Sequence, residues 1–67
     1  MTQNEFARRI GFSDAMWWQV LDGRRNLSWS NCKKVAKEIG GDPNLWREGG
    51  SSKERRKVWK EYAQANS

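Results

Sequence analysis

The side chains of this 67-residue sequence that could do chemistry are cations and hydrogen-bond donors, because the usual nucleophile and metal-ligand sets are missing. There is no histidine and a single cysteine, Cys32. A Ser-His or Cys-His pair therefore cannot form, and the common zinc sites are unavailable. A hydrolase or metalloenzyme is set aside on that ground, and the expectation is a protein that is not an enzyme, with no cofactor, no metal and no small-molecule substrate. What stands out is charge: Lys and Arg number 13 against 8 Asp and Glu, a net +5. Residues 1–23 carry two cations against three anions, residues 24–48 six against three, and residues 49–67 five against two. A basic balance that begins after residue 23 fits an anionic partner, most simply a nucleic-acid backbone, and fits solubility alone equally well.

A second pattern supplies the geometry such a partner would need. Between Gln3 and Gly23 the spacing predicts two short helices joined by a tight turn, with Ala7 four residues before Gly11 and Trp17 and Val20 six and nine residues after it. A helix-turn-helix needs a small residue where the helices cross, a left-handed residue in the turn, and an i, i+3 apolar pair that buries one face of the second helix. The other face is then left for a DNA major groove.

Elements of helical period must position these residues, and no period-2 alternation persists for a strand's length. Thr2 to Glu5 has the form of a capping box, expected to satisfy two free amides reciprocally. Phe6, Ala7 and Ile10 share a face, and Gly11 ends the helix. Ser13 caps a helix through Trp17, Val20 and Leu21 that stops at Asp22-Gly23, and Ser28 caps a third with the stripe Trp29, Cys32, Val35, Ala36 and Ile39. Asp42-Pro43 opens a short helix holding Leu45 and Trp46. After the Gly49-Gly50 joint, Ser51 and Glu54 open a last helix with Val58, Trp59, Tyr62 and Ala63. The expected fold is all-α, a compact bundle of about five helices around a central helix-turn-helix. Residues 1–48 form the core unit, and residues 49–67 a joint plus C-terminal helix within a single domain.

These segments resemble the lambda-repressor-like (Cro/repressor, XRE-type) DNA-binding domains. TQNEFARRIGFS is similar to the family's first motif helix and turn, and DAMWWQVLDGRR to its recognition helix and the basic loop after it. NLSWSNCKKVAKEIGGDPNLW is similar to the next helix and the short helix that follows, so the resemblance covers about residues 2–46. The family normally has a helix ahead of the one starting at Thr2, which this chain is expected to lack, and Trp17 stands where the family usually has Ile or Val. The resemblance implies a lambda-repressor-like fold and sequence-specific binding of double-stranded DNA as a small transcriptional regulator, with residues 13–22 in the major groove. It implies that Gln3 contacts a phosphate or base edge and that Ser13, Asp14, Ala15, Met16, Trp18 and Gln19 lie at the groove. Gln19 would read adenine, Asp14 could accept from cytosine N4, and Ala15 and Met16 could touch a thymine methyl. Arg24, Arg25 and Asn26 would grip the backbone, with Lys33 and Lys34 as further phosphate contacts.

Several readings stay open in the sequence. Trp17, Trp29 and Trp46 are expected in the core by periodicity, whereas Trp18 fits either a second core contact or an exposed binding residue. Arg24 and Arg25 also fit a solvated loop, and the basic run from Lys53 to Lys57 fits a soluble helix face or a DNA contact. The stripe Val58, Trp59, Tyr62 would cover Phe6, Ile10, Leu45 and Trp46, pair with a second copy in a homodimer, or belong to a disordered tail. The competing functional class is a protein-interaction module on the same scaffold, antitoxin-like, using a Met16/Trp18 surface. A lone cysteine at an apolar position and the lack of a signal peptide or membrane span suggest a reducing, cytoplasmic setting.

Overall fold

Each helical segment begins where a side-chain oxygen accepts a free backbone amide, at the positions that the sequence indicates. In the computed structural model, which describes residues 1–66, the acceptors are Thr2 for Glu5, Ser13 for Met16, Ser28 for Asn31, Asp42 for Asn44 and Ser51 for Glu54. They open α1 (Gln3–Arg9), α2 (Asp14–Leu21), α3 (Trp29–Ile39), a 3-10 turn (Pro43–Trp46) and α4 (Ser52–Ala65). The chain is all-helical, with four α-helices and no strand among the described residues. The fourth of the five expected helices is a single 3-10 turn, too short for an α-helical ladder between Asp42 and the extended Arg47. At the first cap Glu5 does not reach back to the Thr2 amide as a full capping box would; its carboxylate accepts from the Thr2 hydroxyl at 3.2 Å.

The first two helices end in the same way. Gly11 N–H donates to the Arg8 carbonyl and Phe12 N–H to that of Ala7; Gly23 N–H donates to Val20 and Arg24 N–H to Gln19. Both are Schellman motifs, which need a left-handed residue just past the helix. Gly11 (φ 80°) and Gly23 (φ 74°) supply it.

The core is aromatic. Trp17 sits at its centre, with ring-centre distances of 4.8 Å to Phe6, 5.4 Å to Trp46, 5.8 Å to Trp59 and 6.4 Å to Phe12. Trp59 and Tyr62 of α4 lie 5.0 and 5.4 Å from Phe6, so α4 packs across α1 and α2 and its apolar stripe is used within the chain. Trp29 is not in the core: it is 45% exposed, with the Arg47 guanidinium 5.5 Å from its ring centre. Leu27, buried and bonded through its N–H to the Trp46 carbonyl, fills that end of the core ahead of Cys32. Trp29, at the first position of α3, is left at the rim. The Cys32 thiol is fully buried beside the Leu27 carbonyl, and burial pushes its pKa up, as for an inert packing thiol.

Arg55, in the middle of the basic run, is also fully buried. Its stripe position explains why: Trp59 and Tyr62 follow at i+4 and i+7. All five guanidinium N–H donors are used. Nε donates to the Leu45 carbonyl at 2.8 Å, Nη1 to those of Val20 (2.8 Å) and Arg25 (3.1 Å), and Nη2 to the Arg47 carbonyl (2.9 Å) and Asn26 Oδ1 (3.2 Å). Burial lowers the Arg55 pKa from its ordinary value, but arginine stays charged in proteins. Gly50 is smooth by necessity, since a Cβ there would run into the Leu45 carbonyl and come within 3.1 Å of Arg55 Nη2. The joint between residues 48 and 51 is therefore fitted around this guanidinium.

A lysine at position 55 has three donors and no fork, and it strands at least two of the five acceptors. Arg55→Lys should lower unfolding free energy by about 2–6 kcal/mol, at roughly 1–3 kcal/mol for each of two abandoned buried acceptors. Arg55→Met, which strands all five, should leave the chain mostly unfolded at 25 °C, given a total stability on the order of 5 kcal/mol for so small a domain. Urea titration followed by tryptophan fluorescence checks both, and a native-like midpoint for Arg55→Met would remove the guanidinium from the centre of this account.

Candidate nucleic-acid interface

The second helix has one face in the core and one in solvent. Trp17, Val20 and Leu21 are buried, whereas Ala15, Trp18 and Gln19 are exposed, Trp18 at 55%. The Ser13 hydroxyl is engaged as the cap, accepting from Met16 N–H at 3.1 Å, and Asp14 is half-buried in the first turn, where a negative charge suits the helix N-terminus. Met16 is half-buried and packs against the core cluster. Met16 and Trp18 do not make one surface, because residues two apart on a helix point to nearly opposite sides. The interaction surface expected from that pair is therefore not assembled.

Cationic groups flank α2 at both ends. At its start, a Cβ on Gly11 would lie 3.5 Å from Lys34 Nζ, so α3 brings this ammonium to the turn between α1 and α2. Lys33 is exposed one position back and turned about 100° from it. At the other end Arg24 and Arg25 are exposed, and their backbone N–H groups both donate to the Gln19 carbonyl, at 2.9 and 3.3 Å. The loop is thus a continuation of the helix end. Asn26 is exposed as a residue, but its Oδ1 is taken by Arg55, which leaves the amide nitrogen as its outward chemistry.

The sequence reading missed the part of this end contributed by α4. Arg56 pairs with Asp22, and its Nε donates to the Leu21 carbonyl at 3.4 Å. With Arg55 on Val20, two guanidinium groups sit on the last carbonyls of α2, where helix ends favour cations. The available signal was the Arg55-Trp59-Tyr62 spacing, a charge at a stripe position. The structure also joins Gln3 to Trp18: both line a groove of about 420 Å³ whose floor is Leu21, Trp59 and Ala63 and whose α4 wall carries Arg56 and Lys60.

What this arrangement offers chemically is an amide and a large aromatic ring on a supported helix, bounded by cations. Among the described residues there is no cluster of His, Cys, Asp or Glu able to hold a metal, and no helix is long and apolar enough to cross a membrane. No family model, no curated protein and no solved structure matches the chain.

The two adjacent tryptophans should separate cleanly on mutation. Trp17→Ala removes the ring that four others touch and should cost about 3–5 kcal/mol. Trp18→Ala removes a side chain that is more than half exposed and should change stability by about 0.5 kcal/mol or less. Paired urea melts of the two variants measure this, and a Trp18→Ala loss as large as that of Trp17→Ala would mean that α2 is rotated from the orientation described.

Proposed function

We propose that the protein binds double-stranded DNA as a small cytoplasmic transcriptional regulator, through a lambda-repressor-like helix-turn-helix made by α1, the Gly11 turn and α2. The carrying observation is the exposed α2 face with an ammonium at the Gly11 turn ahead of it and two arginines in the loop that follows its Asp22-Gly23 end. A helix about 12 Å long that is anchored by its buried face and bounded by cations has the shape and charge to enter a major groove with phosphates on either side. In this reading Gln19 pairs with a base edge and Ala15 meets a thymine methyl. Trp18 and Gln3 lie toward the strand bordering the groove, and Arg24, Arg25, Asn26, Lys33 and Lys34 hold phosphates. Met16 is a packing residue and drops from the readers, and Ser13 acts as a cap.

A second reading, a protein-interaction module, draws on the exposed Trp18 ring beside an apolar groove, a combination frequent at interface centres. It predicts little affinity for duplex DNA, whatever the salt.

Affinity for a random duplex at several salt concentrations separates the two. The wild-type protein should lose affinity steeply as salt rises, and Arg24→Ala with Arg25→Ala should weaken binding to all duplexes alike and reduce the slope of log K against log salt by about two. Gln19→Ala should leave that slope alone while costing about 1–3 kcal/mol on a site selected from a random pool. A double arginine variant that binds random DNA like the wild type would refute this docking.

A further inference from the structure

We propose that Lys53 and Lys60 of α4 form a second phosphate-binding edge, which takes the sugar–phosphate backbone of one DNA strand along the groove between α2 and α4. This rests on the DNA-binding reading and extends it to a helix outside the resemblance. Lys53, Arg56, Lys57 and Lys60 stand at i, i+3, i+4 and i+7 and are all exposed, so they share one flank of α4. Glu54 and Glu61, each one position further on, are turned about 100° from Lys53 and Lys60. The cationic flank is the one that meets the groove, since Arg56 and Lys60 line its wall opposite Trp18 and Gln3.

The two ends of this edge connect with the interface already described. A Cβ on Gly23 would lie 3.1 Å from Ser52 Cβ, so the start of α4 rests against the loop that continues into Arg24 and Arg25. Lys53 follows Ser52 directly. From the loop the cations run through Lys53, past Arg56, to Lys60 and the groove, on the side where α2 exposes Trp18. Arg56 is committed to Asp22 and the Leu21 carbonyl, and Lys57 borders Glu54 and Glu61 at i−3 and i+4. Lys53 and Lys60 are left as the groups that add charge to this side. The apolar floor of Leu21, Trp59 and Ala63 suits the sugar edge of a backbone lying along the α4 cations.

Salt-dependent binding of the intact chain to a random duplex tests the proposal. Lys53→Ala with Lys60→Ala should reduce the slope of log K against log salt by about two. The thermal midpoint should stay near that of the wild type, because both positions are exposed and alanine favours helix. Arg8→Ala with Lys37→Ala removes the same charge from α1 and α3, outside this edge, and should leave the slope near the wild-type value, and Lys53→Arg with Lys60→Arg should keep it. A wild-type slope in the Lys53/Lys60 alanine variant, or an equal fall in the Arg8/Lys37 variant, overturns the α4 edge and leaves the docking of α2 standing. No binding of duplex by the wild-type protein at low salt overturns both.

Discussion

A charged guanidinium without a carboxylate organises this molecule. Arg55 is surrounded by four backbone carbonyls and one side-chain amide oxygen, drawn from the end of α2, the loop after it, the 3-10 turn and the segment leading to α4. A buried charge is tolerable only when its donors are satisfied, and here carbonyl dipoles do what a counterion does elsewhere. The arrangement also solves a problem of irregular chain. Residues 22–28 and 47–51 have no helical ladder to absorb their carbonyls, and buried carbonyls need partners. One side chain with five fixed donors serves both segments at once. Their relative position is thereby set by the planar geometry of a single group.

The second constraint is size. With 67 residues the chain buries a modest share of its surface, and it concentrates that burial in a few large rings. Trp17 and Trp46 are fully enclosed, and each indole N–H is without an acceptor among the described residues. A buried donor left unpaired costs roughly 1–3 kcal/mol. The rings offset that through contact area and edge-to-tilted stacking, a pair of which is worth about 0.5–1.5 kcal/mol beyond burial. Trp17 lies between Phe6 of α1 and Trp59 of α4, and Phe6 also meets Trp59 and Tyr62 directly. That is how α4 comes to close the side of α1 that the sequence leaves apolar at Phe6.

Legibility followed the range of the interaction. Caps and turns depend on neighbours within three or four residues, so Thr2, Ser13, Ser28, Asp42 and Ser51 as starts and Gly11 and Gly23 as stops were readable. Trp17 and Trp46 were readable from period. Trp29 was not, because a stripe shows which face a residue occupies and not where along the helix the core ends; Leu27, outside the helix, decided that. Met16 failed for a related reason: on a helix that passes over a small core, the boundary residues of the exposed face pack partly inward. Arg55 was the largest miss. Its partners are 8 to 35 residues away and four of them are backbone carbonyls, which carry no sequence signal. Only its register with Trp59 and Tyr62 marked it, and its place among other basic residues hid that register.

The same helix thus has two electrostatic tasks on its two sides, and they support each other. The C-terminal end of an α-helix carries roughly half a negative charge, which would repel a phosphate approaching the loop at Arg24 and Arg25. Arg55 occupies the Val20 carbonyl from within, and Arg56 occupies the Leu21 carbonyl while neutralising Asp22 at the rim. The negative end of α2 is therefore covered within the chain, and the exposed arginines of the loop stand over a surface whose own field no longer opposes them. Had α4 been an acidic helix in the same place, the loop cations would be spent on intramolecular pairing. Because its buried face brings a guanidinium and its outer flank is basic, packing and surface field point in one direction.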